Sequence, residues 1–114
     1  MIHSIHRGAE LQNGYAIGSD DFSDIEYTGD LRNCEACHVN NSQQLSSMPD
    51  GLLPTITPQA WWSPMQPEAA ACLSCHDDDD TAVHAYSNTA FFGESCTTCH
   101  GAGAEFSVDK VHIN

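Results

Sequence analysis

The chain has 114 residues, with 3 Lys and Arg against 16 Asp and Glu and a formal net charge of −13. That length admits one domain, expected to be residues 1–114 and a piece of something longer, and it is too short for a generous core of side chains alone. The charge repels phosphate backbones and anionic headgroups, so nucleic acid is excluded as a partner, and no apolar run reaches the length of a membrane span.

The opening "MIHSIHRGAEL" has helix-compatible composition, although Met1 offers no capping side chain. From Asn13 to Gly29 the chain is rich in Gly and Asp and reads as loop, with one short extended piece at Asp24 to Tyr27. Asp30 is placed to cap a short helix that runs into Cys34. All five prolines fall in "SMPDGLLPTITPQAWWSPMQP", a long irregular connection. Pro67 suits the first turn of a helix over "PEAAACLSCHD". Ser95 is expected to cap another short helix at Cys96, and "SVDKVH" forms a last one after Ser107. The predicted fold is mostly α, short helices strung on extensive irregular loops with little or no sheet. Leu, Ile, Val and Phe are sparse, so bound cofactors are expected to form the core.

Three copies of C-x-x-C-H decide the chemistry: Cys34, Cys37 and His38; Cys72, Cys75 and His76; Cys96, Cys99 and His100. This is the attachment signature of c-type haem. Two thiols one helical turn apart reach the two vinyl groups of one porphyrin edge, and the adjacent His projects over the ring to bind iron. A single copy would leave zinc or redox-thiol chemistry open, since C-x-x-C serves both. Here every one of the six cysteines lies inside a copy.

Each iron then needs a sixth ligand, and four histidines lie outside the motifs: His3, His6, His84 and His112. Four candidates for three irons allow bis-His ligation throughout with one left over, and terminal His3 or His6 is the expected surplus. Met1, Met48 and Met65 compete less well, lying in loop or at the terminus. The run Asp77 to Asp80 offers hard oxygen ligands to Ca²⁺, against the plainer reading of a solvated acidic turn near a haem. Trp61 and Trp62 are expected to pack on a haem face or on the Pro-rich loop.

With its motifs in order, "FSDIEYTGDLRNCEACH", "AACLSCHDDDDTAVHA" and "CTTCHGAGAEFSVDKVHI", the chain resembles the C-terminal segment of the extracellular decahaem c-type cytochromes, the OmcA/MtrC family. The resemblance implies that His3, His6, His84 and His112 are distal iron ligands. It also implies electron transfer in extracellular or periplasmic respiration, outside the cytoplasm. Implied partners are other redox proteins or multihaem cytochromes and mineral or shuttle acceptors. The chain departs from the family in carrying three motifs rather than ten and no cysteine to spare for a disulfide. The expectation is an electron carrier, not an enzyme. The rivals are a small multihaem reductase with one open iron, and a protomer that self-associates into a conducting filament.

Overall fold

A computed structural model describes residues 1–57 and 60–112. Pro58 and Gln59, in the expected irregular connection, lie outside the described residues, as do Ile113 and Asn114 at the end of the expected 1–114 domain. Helix α1 spans Ile2–Arg7 and tightens into a 3₁₀ turn at Gly8–Glu10. A Cβ at Gly8 would run into the carbonyl oxygens of Phe22 and Ile25, so glycine lets the end of α1 lie directly on that loop. The Ala9 amide donates to the Ile25 carbonyl at 3.0 Å and fixes the contact.

The expected loop holds a hairpin instead of the extended piece at Asp24 to Tyr27. Strands β1 (Ala16–Ile17) and β2 (Asp20–Asp21) pair antiparallel through a two-residue turn. Gly18 takes φ 62° there, the positive value that such hairpin turns require. Asp30 does not cap a helix. Its carboxylate accepts from the Arg32 amide and is gripped by the Arg32 guanidinium at 2.8 Å, and the first motif follows as a 3₁₀ turn, Cys34–Ala36.

Helix α2 covers Pro67–Leu73 with Pro67 in its first turn, where the missing amide costs nothing. Helix α3, Asp79–Ser87, falls where no helix was expected. The Asp78 side chain caps it by accepting from the Thr81 amide at 2.9 Å, and acidic Asp79 and Asp80 suit its positive end. A second hairpin, β3 (Thr89–Ala90) with β4 (Gly93–Glu94), leads to α4 (Thr97–His100), and α5 (Val108–Val111) follows Ser107. Ser95 does not cap α4 with its side chain; its hydroxyl donates to the Asn88 carbonyl.

Short helices make up most of the regular structure, and two small two-stranded sheets accompany them among the described residues. A side-chain core does exist where α2 meets α3: Trp62, Met65, Ala69, Leu73, Ala82 and Ala85 pack as one buried cluster. Trp62 lies inside it, while Trp61 stays on the surface and donates from Nε1 to Asp79 at 3.0 Å. No helix among the described residues is long and apolar enough to cross a membrane.

Candidate functional site: three histidine pairs

The three motifs share one backbone geometry. In each, the His amide donates to the carbonyl of the first Cys, at 2.8 Å in Cys34–His38, 3.0 Å in Cys72–His76 and 2.9 Å in Cys96–His100. The second Cys amide turns back to the same carbonyl at 3.1–3.2 Å, so both thiols leave one helical turn on the same side.

The imidazoles form pairs, and every pair joins one motif histidine to one that lies outside the motifs. His3 and His38 have ring centroids 5.8 Å apart, His76 and His112 6.0 Å, and His84 and His100 6.2 Å. Their planes are tilted by 51°, 56° and 82°. Two imidazoles bound end-on to one metal, each at about 2.0–2.1 Å, have centroids about 6 Å apart, so the spacing suits one iron between each pair. His6 has a different neighbour: its ring meets Tyr27 edge-on at 5.0 Å.

Hydrogen bonds select which ring nitrogen is open. His100 Nδ1 lies 2.9 Å from the Phe106 carbonyl, His112 Nδ1 3.0 Å from the Val108 carbonyl and His6 Nδ1 3.0 Å from the Ile2 carbonyl. A carbonyl only accepts, so Nδ1 carries the proton and the Nε2 lone pair is left for a metal. His38 Nδ1 meets the Ser42 hydroxyl at 3.2 Å, and His3 Nδ1 meets that of Ser74 at 3.2 Å. Sequence could not single out these supports. The Ser74 contact joins residues 71 positions apart, and the carbonyl partners have no residue signature.

The thiols sit in surroundings that disfavour thiolate. Desolvation foremost, then Glu68, Glu94 and Cys72, pushes Cys96 up to about 12. Cys72 is raised by desolvation and then by Glu94 and Glu68, and Cys34 chiefly by desolvation. Desolvation also raises Cys75, with Arg7 opposing it. A reactive dithiol needs cationic neighbours, and two of these motifs face carboxylates instead. Cys34 acts on the Cys75 thiol and Cys72 on the Cys96 thiol, so the second motif lies near each of the other two.

Donor chemistry agrees with a porphyrin better than with a bare ion. Among the described residues no three His, Cys, Asp or Glu side chains converge on one point, whereas two imidazoles are what a porphyrin iron leaves to the protein. Beside His3 an open groove of about 370 Å³ is lined by Met48, Leu52, Leu53, Ala70 and Ala71, an apolar wall suited to a ring. The first two residues of the acidic run have structural partners, while Asp79 and Asp80 stay exposed as a solvated turn would. Asp77 is buried and accepts from the Gln12 and Asn13 amides at 2.9 and 2.7 Å. Asp78 caps α3 and Asp79 holds Trp61.

The family described as outer membrane cytochrome MtrC/MtrF-like, domains II/IV, matches the chain over residues 1–113. The chain belongs to that family. No curated protein and no solved structure matches it. Membership makes it a cytochrome domain of an extracellular electron-transfer family, with haem c as the family's general cofactor and a setting outside the cytoplasm.

Proposed function

We propose that this MtrC/MtrF-like domain conducts electrons through three covalently attached haems c with bis-His iron, as the trihaem C-terminal segment of a longer cytochrome. Attachment is assigned to Cys34 and Cys37, Cys72 and Cys75, and Cys96 and Cys99. The axial pairs are His38 with His3, His76 with His112, and His100 with His84. The observation that carries the reading is the one-to-one pairing of motif and non-motif imidazoles at 5.8–6.2 Å.

Haem supplies one-electron chemistry when bound. The chain's part is to hold both imidazoles with Nε2 inward, keep water from the iron and set the order of the centres. The influence of Cys34 on Cys75 and of Cys72 on Cys96 supports a relay in which the second centre lies between the first and third. His6, its Nδ1 proton directed to Ile2, keeps an Nε2 suited to an iron beyond residues 1–114. An anion reductase would need a cationic open site. Arg32 is held by Asp30 at 2.8 Å and Lys110 by the Ala104 carbonyl at 2.7 Å, and Arg7, which is near enough to the second motif to act on Cys75, is already paired with Glu10 at 3.3 Å. Acceptors with a basic patch, whether redox proteins, shuttles or minerals, suit the net charge of −13.

Single substitutions test the assignment. His3→Ala, His84→Ala and His112→Ala are each expected to turn one of three low-spin ferric haems high-spin in the EPR spectrum, and His6→Ala none. A high-spin haem in His6→Ala, or its absence in any of the other three, overturns the pairing.

A further inference from the structure

The residues between the cysteines of a haem motif are generally spacers, and in the first and third motifs Ala36 and Thr98 close local turns, their amides donating to the Asn33 and Ser95 carbonyls. The second motif is different. Ser74, between Cys72 and Cys75, reaches His3 across the fold, with Oγ 3.2 Å from Nδ1. The same Oγ donates its proton to the Ala71 carbonyl at 2.6 Å. A hydroxyl has one proton, and here it is spent within α2, so Ser74 can only accept from His3. His3 therefore carries its proton on Nδ1 and keeps the Nε2 lone pair free.

We propose that Ser74 is a positioning residue for His3, fixing its tautomer and ring rotation, and that it ties the distal side of the first centre to the turn that attaches the second. The proposal rests on reading His3 and His38 as axial ligands of one iron. The relay from His3 Nδ1–H to Ser74 Oγ–H to the Ala71 carbonyl ends on helix α2, which is anchored in the apolar cluster through Ala69 and Leu73. His3 stands on a six-residue helix at the chain start with its ring centroid 5.8 Å from that of His38, so a support on α2 is what gives its ring a fixed direction. A hydrogen bond accepted from Nδ1–H makes an imidazole a better electron donor, which favours the ferric over the ferrous iron. Its loss is expected to raise the potential of the first centre alone.

The test uses the haem-loaded full chain with Ser74→Ala, Ser74→Thr and His3→Ala, read by low-temperature EPR and by spectroelectrochemical titration. In Ser74→Ala all three haems are expected to stay low-spin. One ferric signal shifts, and one wave moves upward by as much as a tenfold change in relative affinity, about 59 mV for one electron. Ser74→Thr, which keeps the hydroxyl, restores both. The wave that moves is the one His3→Ala removes from the low-spin set. If His3→Ala gives a high-spin haem while Ser74→Ala leaves every signal and wave in place, the positioning role is overturned and the ligand reading stands. A shift shared by all three waves, or one that Ser74→Thr does not restore, makes Ser74 merely structural and also overturns the role. If His3→Ala yields no high-spin haem, the ligand reading itself fails and the proposal with it.

Discussion

Residues 60–100 and residues 11–57 carry motifs of the same sequence pattern, yet they are built differently. The later stretch closes a core of its own, with Trp62, Met65, Ala69, Leu73, Ala82 and Ala85 buried between α2 and α3. In the earlier stretch Leu45 is the buried apolar side chain, while Val39, Leu52, Leu53 and Ile56 are 70%, 46%, 83% and 74% exposed. Side chain to backbone hydrogen bonds do the ordering there, as at Asp21, Ser23 and Asp30. Such local bonds fix turns but bury little area, and burial is the main favourable term in folding. An apolar group attached at Cys34 and Cys37 would supply what this stretch lacks, so the proposed haem is structural at the first motif to a degree it is not at the second.

The comparison breaks most readily at Trp62. Trp62→Ala removes the largest member of the α2–α3 cluster, and we expect a loss of about 3–5 kcal/mol in denaturant unfolding of the loaded protein. Leu45→Ala is expected near the low end of the leucine range, about 2 kcal/mol, because few buried neighbours surround it. Equal losses at the two sites would mean that the stretches are packed alike.

Next in size is the seam between the two. Asp77 opens the acidic run before α3, and its carboxylate holds the Gln12 and Asn13 amides, while Asn13 Nδ2 returns a bond to the Asp77 carbonyl at 2.7 Å. Asp77→Ala leaves two amides without their charged acceptor, at an expected cost of about 2 kcal/mol. Asp77→Asn, which keeps one acceptor oxygen, should lose less. Hydrogen exchange should show the weakening at Gln12 and Asn13 before it reaches α2. Uniform loss of protection along the chain would show that Asp77 does not act at a seam.

What could be read in the sequence follows from the range of the interactions. The motif turns and the Pro67 start of α2 are set within four residues of each other, and both were legible. Helix α3 is hidden in the sequence because its start looks like a charge run, although Asp78 followed by Thr81 is a cap-and-acceptor pair that marks it. The hairpins β1–β2 and β3–β4 are two residues per strand, too short for an alternating pattern. Which histidine faces which was not legible, since His3–His38 and His76–His112 close over dozens of residues and depend on tertiary placement. Asp77 looks solvated in the sequence because its amide partners lie 64 and 65 positions away.

The smallest expected effect sharpens the comparison within the better-packed stretch, at the junction of the second and third motifs. Glu94 spans that junction: its carboxylate accepts from the Glu68 and Ala69 amides at 2.8 and 2.7 Å. Glu68 is left beside it, and its carboxyl is raised above the ordinary 4.5 by desolvation first and by Glu94 second, with the Cys96 thiol opposing. A carboxyl whose pKa is higher in the folded than in the unfolded chain stabilises the fold below the unfolded value and loses that stabilisation as pH rises through the folded one. Stability should therefore fall as pH climbs from about 4.5 through the raised value, and Glu68→Gln should flatten that part of the curve. Attachment of haem at Cys96 would convert the thiol to a thioether, which has no S–H to donate. The slope is then expected to be steeper in the loaded protein than in a chain with Cys96 free. Urea unfolding across pH 4 to 7 measures it, and an unchanged slope in Glu68→Gln would place the titrating group elsewhere.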